Sequence, residues 1–223
     1  MMRAWESRTD CSVVDEPFYG CYLQESGARH PMRDEIIASQ PRTRDGVIQQ
    51  LSATAETPIQ YEKHMTHHMP AGIDLSWARD MKHVFLIREP DRVIASYRQK
   101  MPSVSAEAIG IIRQRELLDD ITVITGSRPP VIDSLDLLRD PEGVLRQLCH
   151  ALSVPWQEGA MTTWRRGRRR SDGIWASHWY ASVETSTHFS SPPDSTPQLD
   201  EAGRQLADLM TPHFDAMARF KLS

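Results

Sequence analysis

The chain has 223 residues, of which 39% are hydrophobic and 25% are charged, and its formal net charge is −4. This composition is typical of a soluble globular protein, and the length suits one domain with a sizeable core. The apolar runs fall far short of the ~18 residues that a membrane helix needs, and a slightly acidic chain disfavours bulk nucleic-acid binding. We therefore expect no membrane span and no nucleic-acid partner.

The N-terminus carries charged residues at once and has no apolar segment, so we expect no secretory signal. The three cysteines, Cys11, Cys21 and Cys149, are too few and too scattered for a disulfide framework. Both features favour buried or incidental thiols in a reducing compartment. The sequence therefore predicts a cytoplasmic protein.

Short apolar segments alternate with helical patterns along the chain. The strand candidates are residues 11–16, 58–64, 83–89 and 129–134. The helix candidates are residues 31–39, 91–100, 105–119, 141–151 and 199–219. Strands separated by helices are typical of a parallel sheet covered on both faces. The sequence therefore predicts a single α/β domain over residues 1–223, built on a doubly wound parallel sheet with helices on both faces.

Three local signals refine this reading. Residues 84–87 are continuously apolar after His83, which predicts a strand covered on both faces. Asp140 and Pro141 form an N-cap followed by a proline at the first helical position. The Ser- and Pro-rich stretch at 190–197 predicts a loop.

The junction after the third strand candidate combines a cation with a hydroxyl group. Arg88 follows the strand, Pro90 and Asp91 start the next helix, and Ser96 lies about one and a half turns into it. Ligands bind outside the carboxyl ends of strands in open α/β sheets, and a guanidinium suits phosphate. Either Arg88 and Ser96 grip one anion, or Arg88 pairs at the surface with Glu89 or Asp91.

Residues 85–97, FLIREPDRVIASY, resemble the 3′-phosphate-binding motif of the sulfotransferase family. In that family an arginine at the strand end and a serine eight positions later bind the 3′-phosphate of PAPS, the sulfuryl donor. The resemblance gives these roles to Arg88 and Ser96, while Glu89 stands where Asp or Asn is usual. Other segments are similar, in the same order, to a bacterial branch of sulfotransferase-like proteins. These segments are residues 1–8, 14–19, 61–70, 143–156 and 172–180.

The segment YEKHMTHHMP at 61–70 is similar to the family's Lys-Thr-His-Leu-Pro-like segment, whose histidine is the catalytic base. The resemblance makes His68 the base, and Lys63 a candidate for neutralising charge on the bridging or leaving oxygen. An alternative register makes Lys63 and His64 the functional pair. A metal site of His64, His67 and His68 would have no acidic or cysteine ligand at matching spacing, so we expect no metal.

Five arginines crowd the basic loop at about 164–172. Like charges packed so closely repel one another unless an anion offsets them. Sulfotransferases often carry an Arg-Lys-Gly loop that reaches back to the same 3′-phosphate, followed by Asp-Trp. Arg165, Arg166 and Gly167, with Asp172 and Trp175 after them across an insertion, are similar to that pattern. The alternative is a solvated basic loop.

Two further groups have open interpretations. Asp15 and Glu16 follow a strand candidate and could act as an acid/base pair, position an acceptor, or serve as a helix cap and a surface charge. Trp175, Trp179 and Tyr180 could stack on a ligand or belong to the core.

The resemblance also implies an initial strand and a loop, roughly Gly-x-x-Arg-x-x-Ser-Thr, that holds the 5′-phosphosulfate at a helix N-terminus. None of the 11 glycines forms such a motif, and residues 1–5 correspond to the helix that follows it. We therefore expect the P-loop NTPase-like sulfotransferase fold with its first strand missing, through an upstream start or a degenerate donor site.

These observations together predict a PAPS-dependent sulfotransferase that acts on a hydroxyl or amine of a small-molecule acceptor. The alternative is a non-catalytic protein of the same fold that binds PAP, the desulfated donor. A P-loop kinase is disfavoured because no G-x-x-x-x-G-K-[ST] motif occurs.

Overall fold

The computed structural model describes residues 1–53, 55–101 and 103–222. In chain order the elements are α1 (Met2–Glu6), β1 (Cys11–Asp15), α2 (Tyr19–Ser26), α3 (Arg33–Ser39), α4 (Arg44–Leu51), β2 (Ile59–Lys63), β3 (Phe85–Ile87), α5 (Pro90–Arg98), α6 (Ala106–Ile109), α7 (Ile111–Thr125), β4 (Val131–Asp133), α8 (Ser134–Arg139), α9 (Pro141–Ala151), α10 (Ala176–Trp179), α11 (Ala181–Thr185) and α12 (Glu201–Ala218). Short 3₁₀ turns occur at Thr66–His68 and Ser76–Ala78. The chain divides into two compact units, one formed by residues 1–69 and 157–190, the other by residues 70–156 and from 191 onward.

The first unit is built around the parallel pair of β1 and β2, in a register that sets Asp15 opposite Lys63. Because both strands run in the same direction, their carboxyl ends place these two charged residues side by side. A hydrophobic core belongs to the same unit. Its buried members are Met2, Tyr19, Leu23, Ile36, Ile37, Trp175, Ala176 and Tyr180.

The second unit is built around the parallel pair of β3 and β4, in a register that sets Ile87 opposite Asp133. Helix α12 packs against α5 and α7 and also contacts both strands. The end of the chain adds a hydrogen bond to this layer, since the Leu222 N–H donates to the Val131 carbonyl at 2.8 Å. Arg88 therefore follows directly after Ile87, the last residue of β3, which is paired with Asp133 of β4.

The local sequence signals locate most of these elements correctly. All four strand candidates contain a strand, and helices occupy the segments predicted at 31–39, 91–100, 141–151 and 199–219. Asp140 caps α9 as expected, because its carboxylate accepts a hydrogen bond from the Gly143 N–H at 2.9 Å. These predictions are confirmed.

Two local predictions are wrong. The helix expected at 105–119 is two helices, since Gly110 adopts the left-handed region with φ 73° and ends α6 before α7 begins. The strand expected to be covered on both faces is not, because Leu86, on the face opposite Phe85 and Ile87, is 42% exposed. Apolar residues alone do not specify that both faces of a strand are covered.

The predicted α/β class is confirmed, because the structure has parallel strands together with helices. Within the described residues the strands form two sheets of two strands each, β1 with β2 and β3 with β4, with one sheet in each unit. The doubly wound sheet and the single domain over the whole chain stay predictions.

Across the described parts of the chain, none of the helices has both the length and the apolar character needed to cross a bilayer. The three cysteines are free and buried, as expected. Burial raises the pKa of the Cys11 thiol to about 11 and that of the Cys21 thiol to about 12, so both are protonated near neutral pH.

Candidate active site

The carboxyl ends of β1 and β2 hold a polar cluster of four side chains. Lys63 Nζ lies 3.4 Å from Asp15 Oδ1, and it also donates to the Glu16 carboxylate and, at 2.8 Å, to the Tyr180 hydroxyl. The Tyr180 hydroxyl in turn donates to the Asp15 carboxylate, with its oxygen 2.8 and 2.9 Å from the two acceptor oxygens. We refer to these four residues as the strand-end cluster.

Burial and charge act in opposite directions on the strand-end cluster. Burial raises the pKa of Asp15, although Lys63 and the hydrogen bonds from Tyr180 and Gly173 oppose that effect. Burial lowers the pKa of Lys63, but the Glu16 and Asp15 carboxylates outweigh it and hold the Lys63 pKa well above its ordinary value. Lys63 therefore carries a full positive charge near neutral pH.

Glu16 has an unusual backbone conformation at this site. Its φ of 42° lies in the left-handed region, which costs a non-glycine residue ~1–2 kcal/mol. Hydrogen bonds to both of its backbone polar groups hold it there. The Glu16 N–H donates to the Lys63 carbonyl at 2.8 Å, and the side-chain Nε2 of Gln40 donates to the Glu16 carbonyl at 3.0 Å. Such conformations persist where the surroundings over-determine them, and they cluster at functional sites.

His68, the predicted base, lies in the 3₁₀ turn that follows β2. The residue is 1% exposed, and within the described residues neither ring nitrogen has a hydrogen-bond partner. Its ring stacks on Tyr19 with 4.6 Å between centroids and packs against Tyr22 at 4.8 Å. Burial, followed by the neighbouring His67, lowers its pKa well below the ordinary value. The imidazole is therefore neutral at pH 7, with both nitrogens unsatisfied.

The two alternative histidines have different surroundings. His64 Nε2 lies 3.0 Å from Glu62 Oε2. His67 packs edge-on against His68 at 4.4 Å, and burial lowers the His67 pKa to about 4 even though Glu16 acts to raise it. Within the described residues, no group of three or more His, Cys, Asp or Glu side chains is arranged to hold a metal ion.

Arg88 and Ser96 lie in the second unit, at the end of β3 and on α5. Both residues are exposed, and neither side chain forms a hydrogen bond or ion pair with any residue that the structure describes. Glu89 pairs instead with Arg92, whose Nε lies 2.6 Å from Glu89 Oε2. The surface pair of Arg88 with Glu89 or Asp91 is therefore not observed. Both groups remain available for an anion.

The basic loop lies in the first unit and begins with Trp164. Gly167 has φ 110°, a left-handed conformation that a side chain at this position would strain. Arg169 turns back on the loop, and its guanidinium donates to the Gly167 carbonyl at 3.3 Å and to the Arg165 carbonyl. In the described parts of the chain, the other guanidiniums have no hydrogen-bond or ion-pair partner; they belong to Arg165, Arg166, Arg168 and Arg170.

The aromatic group near the end of the first unit belongs mainly to its core. Trp175 and Tyr180 are buried members of that core, and Trp179 packs against it. The core interpretation is therefore correct for these rings. Tyr180 also has a polar role, because its hydroxyl joins the strand-end cluster.

A model of the family described as a sulfotransferase domain matches residues 1–220. The chain belongs to the sulfotransferase domain family. Two Arabidopsis thaliana proteins, named branched-chain-amino-acid aminotransferase-like proteins 1 and 2, are 34% and 31% identical to it over 193 residues. The alignments cover 86% of this chain and 34% of each relative, so the chain spans about a third of their length. A solved sulfotransferase domain from the curacin biosynthetic pathway aligns with a TM-score of 0.41 and 14% identity, over 87% of this chain and 78% of that one.

One contact of this sulfotransferase domain has no sequence signal. Arg3 Nη1 and Nη2 each lie 2.7 Å from an oxygen of Asp172, which is 169 positions away. The Arg3 side chain is 3% exposed and that of Asp172 is fully buried. The resemblance draws attention to Asp172, but no local pattern indicates that Arg3 is its partner.

Proposed function

We propose that this member of the sulfotransferase family transfers a sulfuryl group from PAPS to a hydroxyl or amine of a small-molecule acceptor. The observation that carries the proposal is the exposed Arg88 at the carboxyl end of β3, which has no partner among the described residues, followed by Ser96 on α5. A guanidinium and a hydroxyl are suited to bind one phosphate together. In this proposal they hold the 3′-phosphate of PAPS. Arg165, Arg166 and Gly167 of the basic loop are proposed as further donor-binding residues.

The proposed chemistry is a direct transfer. His68 accepts the proton of the acceptor O–H or N–H, and the acceptor's electron pair forms a new bond to sulfur. The bond between sulfur and the bridging oxygen of PAPS breaks at the same time, and PAP leaves with that electron pair. Lys63, which is held charged by its carboxylate neighbours, stabilises the negative charge that develops on the bridging oxygen.

Titration calorimetry with PAP and adenosine 5′-monophosphate tests the donor site. Losing a charge-assisted hydrogen bond to phosphate costs ~1.5–3 kcal/mol, so Arg88→Ala should weaken PAP about ten- to a hundredfold. Adenosine 5′-monophosphate has no 3′-phosphate, so its affinity should be unchanged. Arg139→Ala, which removes an exposed arginine elsewhere in the second unit, is the matched control. Equal losses for the two nucleotides in Arg88→Ala would contradict the assignment.

A second experiment tests the base. Release of PAP from PAPS is followed with panels of hydroxyl and amine acceptors, for the parent chain and for His68→Ala and His64→Ala. A positioned base contributes about 10²–10⁴-fold, so His68→Ala should lose turnover by that factor and keep its affinity for PAP. A dead His64→Ala beside an active His68→Ala would instead assign the base to His64.

The alternative function is binding of PAP without transfer, and the burial of His68 favours it. At 1% exposure the ring reaches an acceptor only if Tyr19 or Tyr22 moves aside. A chain that binds PAP and releases none from PAPS with any acceptor would support this alternative.

A further inference from the structure

We propose that Arg3 and Asp172 are positioning residues whose buried ion pair holds the basic loop. The four loop arginines that have no partner among the described residues then present one fixed cluster of positive charge to a phosphate of the donor. In this arrangement Arg169 fixes the loop and does not bind the donor. The inference rests on the proposed function, because it assigns the role of the loop in binding that phosphate. It adds to the proposed site a pair of residues that do not themselves touch the ligand.

The ion pair has a geometry that specifies position. Two parallel hydrogen bonds of 2.7 Å join the Arg3 guanidinium to the Asp172 carboxylate, and this planar arrangement permits one relative orientation. Removing both charges from water is costly, so a buried pair of this kind contributes little net stability. Its contribution is therefore geometric, since it fixes where Asp172 lies relative to α1.

A chain of contacts runs from this pair to the loop backbone. Asp172 Oδ2 accepts a hydrogen bond from the Arg169 N–H at 2.7 Å as well as from Arg3. The Arg169 guanidinium then donates to the carbonyls of Gly167 and Arg165. The position of Arg3 is thus transmitted, through Asp172 and Arg169, to the segment that carries the free guanidiniums.

Glu6 strengthens the same connection from α1. Its carboxylate lies 3.1 Å from Arg3 Nη1 and 3.4 Å from Arg169 Nε, and it also accepts a hydrogen bond from the Ser171 hydroxyl. Arg169 is therefore compensated by a carboxylate of its own unit. This separates it from the four other arginines of the loop, for which the described residues supply no carboxylate.

The opposite side of the loop is also held by hydrogen bonds. The Gly167 N–H donates to the Glu184 carbonyl at 2.8 Å, and the Trp164 N–H donates to the Thr187 carbonyl at 2.8 Å. The Trp164 indole N–H donates to Ser186 Oγ at 3.0 Å. The loop is thus fixed at both ends while four like charges stay close together. A fixed cluster of this kind repels itself until an anion binds, and a phosphate is such an anion.

The test compares Asp172→Asn with Asp10→Asn. Asp10 forms the other bidentate pair of this unit, with its two oxygens 2.9 Å from Arg8 Nε and Nη2, and Arg8 is buried like Arg3. Each variant removes the carboxylate from a buried arginine, but only Asp172 contacts the basic loop. The readouts are the melting temperature, the affinities for PAP and adenosine 5′-monophosphate, and the rate of trypsin cleavage within residues 165–170.

Both variants should lower the melting temperature, and Asp172→Asn should lower it more, because the Asp172 side chain is fully buried whereas that of Asp10 is 29% exposed. Asp172→Asn alone should reduce the preference for PAP over adenosine 5′-monophosphate, by about tenfold or more, because displaced side chains no longer match the phosphate. It alone should also accelerate trypsin cleavage within residues 165–170. If Asp172→Asn does not fold, Arg3→Lys keeps the charge, removes the bidentate geometry and should give the same two changes.

The outcomes separate this inference from the proposed function. Joint Arg165→Ala and Arg166→Ala substitutions could reduce the preference for PAP while Asp172→Asn leaves both that preference and the cleavage rate unchanged. That result would overturn the positioning role of Arg3 and Asp172 and leave the proposed function intact. A parent chain that does not prefer PAP over adenosine 5′-monophosphate would overturn the proposed function, and this inference with it.

Discussion

Arg3 in the first unit and Arg88 in the second have opposite surroundings. Arg3 is 3% exposed and is held by two hydrogen bonds to Asp172, whereas Arg88 is exposed and has no hydrogen bond or ion pair among the described residues. A buried guanidinium that is already paired with carboxylates is not accessible to a phosphate, while an exposed one without such a partner is. Both residues are arginines, so residue type does not distinguish a positioning residue from a ligand-binding one. The contacts that each side chain makes do.

The same contrast separates Lys63 from the free arginines of the basic loop. Lys63 is enclosed by Asp15, Glu16 and Tyr180, so the folded chain depends on its charge. Removing the enclosed Lys63 should lower stability, and removing one of these exposed loop arginines should change ligand binding while leaving stability nearly unchanged. The predictions below test this division, beginning with the largest effect.

The largest effect is expected from Lys63→Met. Removing one partner of a buried ion pair leaves an uncompensated charge on Asp15 or Glu16, which typically costs ~3–5 kcal/mol. Because the Lys63 side chain is 27% exposed, we expect the lower end, about 3 kcal/mol of unfolding free energy. Urea unfolding measures the loss. Lys82→Met, at an exposed position, should stay within ~0.5 kcal/mol. Similar unfolding free energies for Lys63→Met and Lys82→Met would contradict the distinction between enclosed and exposed charges.

A smaller effect is expected from acidification. The pKa of His67 is lowered to about 4 in the folded chain, so the folded state takes up the proton later than the unfolded state does. A lowered pKa contributes stability that is present above the unfolded value near 6.5 and is lost as the pH falls toward about 4. His67 alone should contribute up to ~1.4 kcal/mol per pH unit to the fall in unfolding free energy in this window, and His68, whose pKa is also lowered, adds to it. Urea unfolding at several pH values should show a shallower dependence of the unfolding free energy on pH for His67→Gln than for the parent chain. The same dependence in both would refute the lowered pKa of His67.

The smallest effect concerns an exposed carboxylate with one local role. Asp140 caps α9, and replacing an N-cap aspartate with alanine costs ~1 kcal/mol. Asp140→Ala should therefore lower the unfolding free energy by about that amount and leave PAP affinity unchanged. Asp208→Ala, at an exposed position within α12, is the control and should have almost no effect. A loss of PAP affinity in Asp140→Ala would show that stability and binding are not separable in the second unit.

The sequence predicted those features that local chemistry decides. The Asp140–Pro141 pair marks the start of α9, and the residues after β3 place Arg88 and Ser96 where a ligand could reach them. It did not indicate α2, whose N-cap Phe18 makes no side-chain capping hydrogen bond. It also did not indicate which side chains contact the predicted site residues in the folded chain.

Those partners depend on contacts between distant parts of the chain. Tyr180 reaches Asp15 across 165 positions, and Asp172 reaches Arg3 across 169. The burial of His68 beneath Tyr19 and Tyr22 likewise depends on how α2 packs against the turn after β2. A short sequence segment carries no information about partners so far away along the chain. The resemblance to sulfotransferases indicated which residues could form the site, and the structure shows what surrounds each of them.

The most direct test of the binding claim is a double-mutant cycle on PAP affinity with Arg88→Ala, Ser96→Ala and the double variant. Two side chains that bind the same phosphate are energetically coupled, whereas independent sites are additive within ~0.3–0.5 kcal/mol. We predict that the double variant loses less affinity than the sum of the two single losses, by about 0.5–3 kcal/mol, and that adenosine 5′-monophosphate shows no such coupling. Additive losses, or no loss in either single variant, would contradict a shared 3′-phosphate site at Arg88 and Ser96.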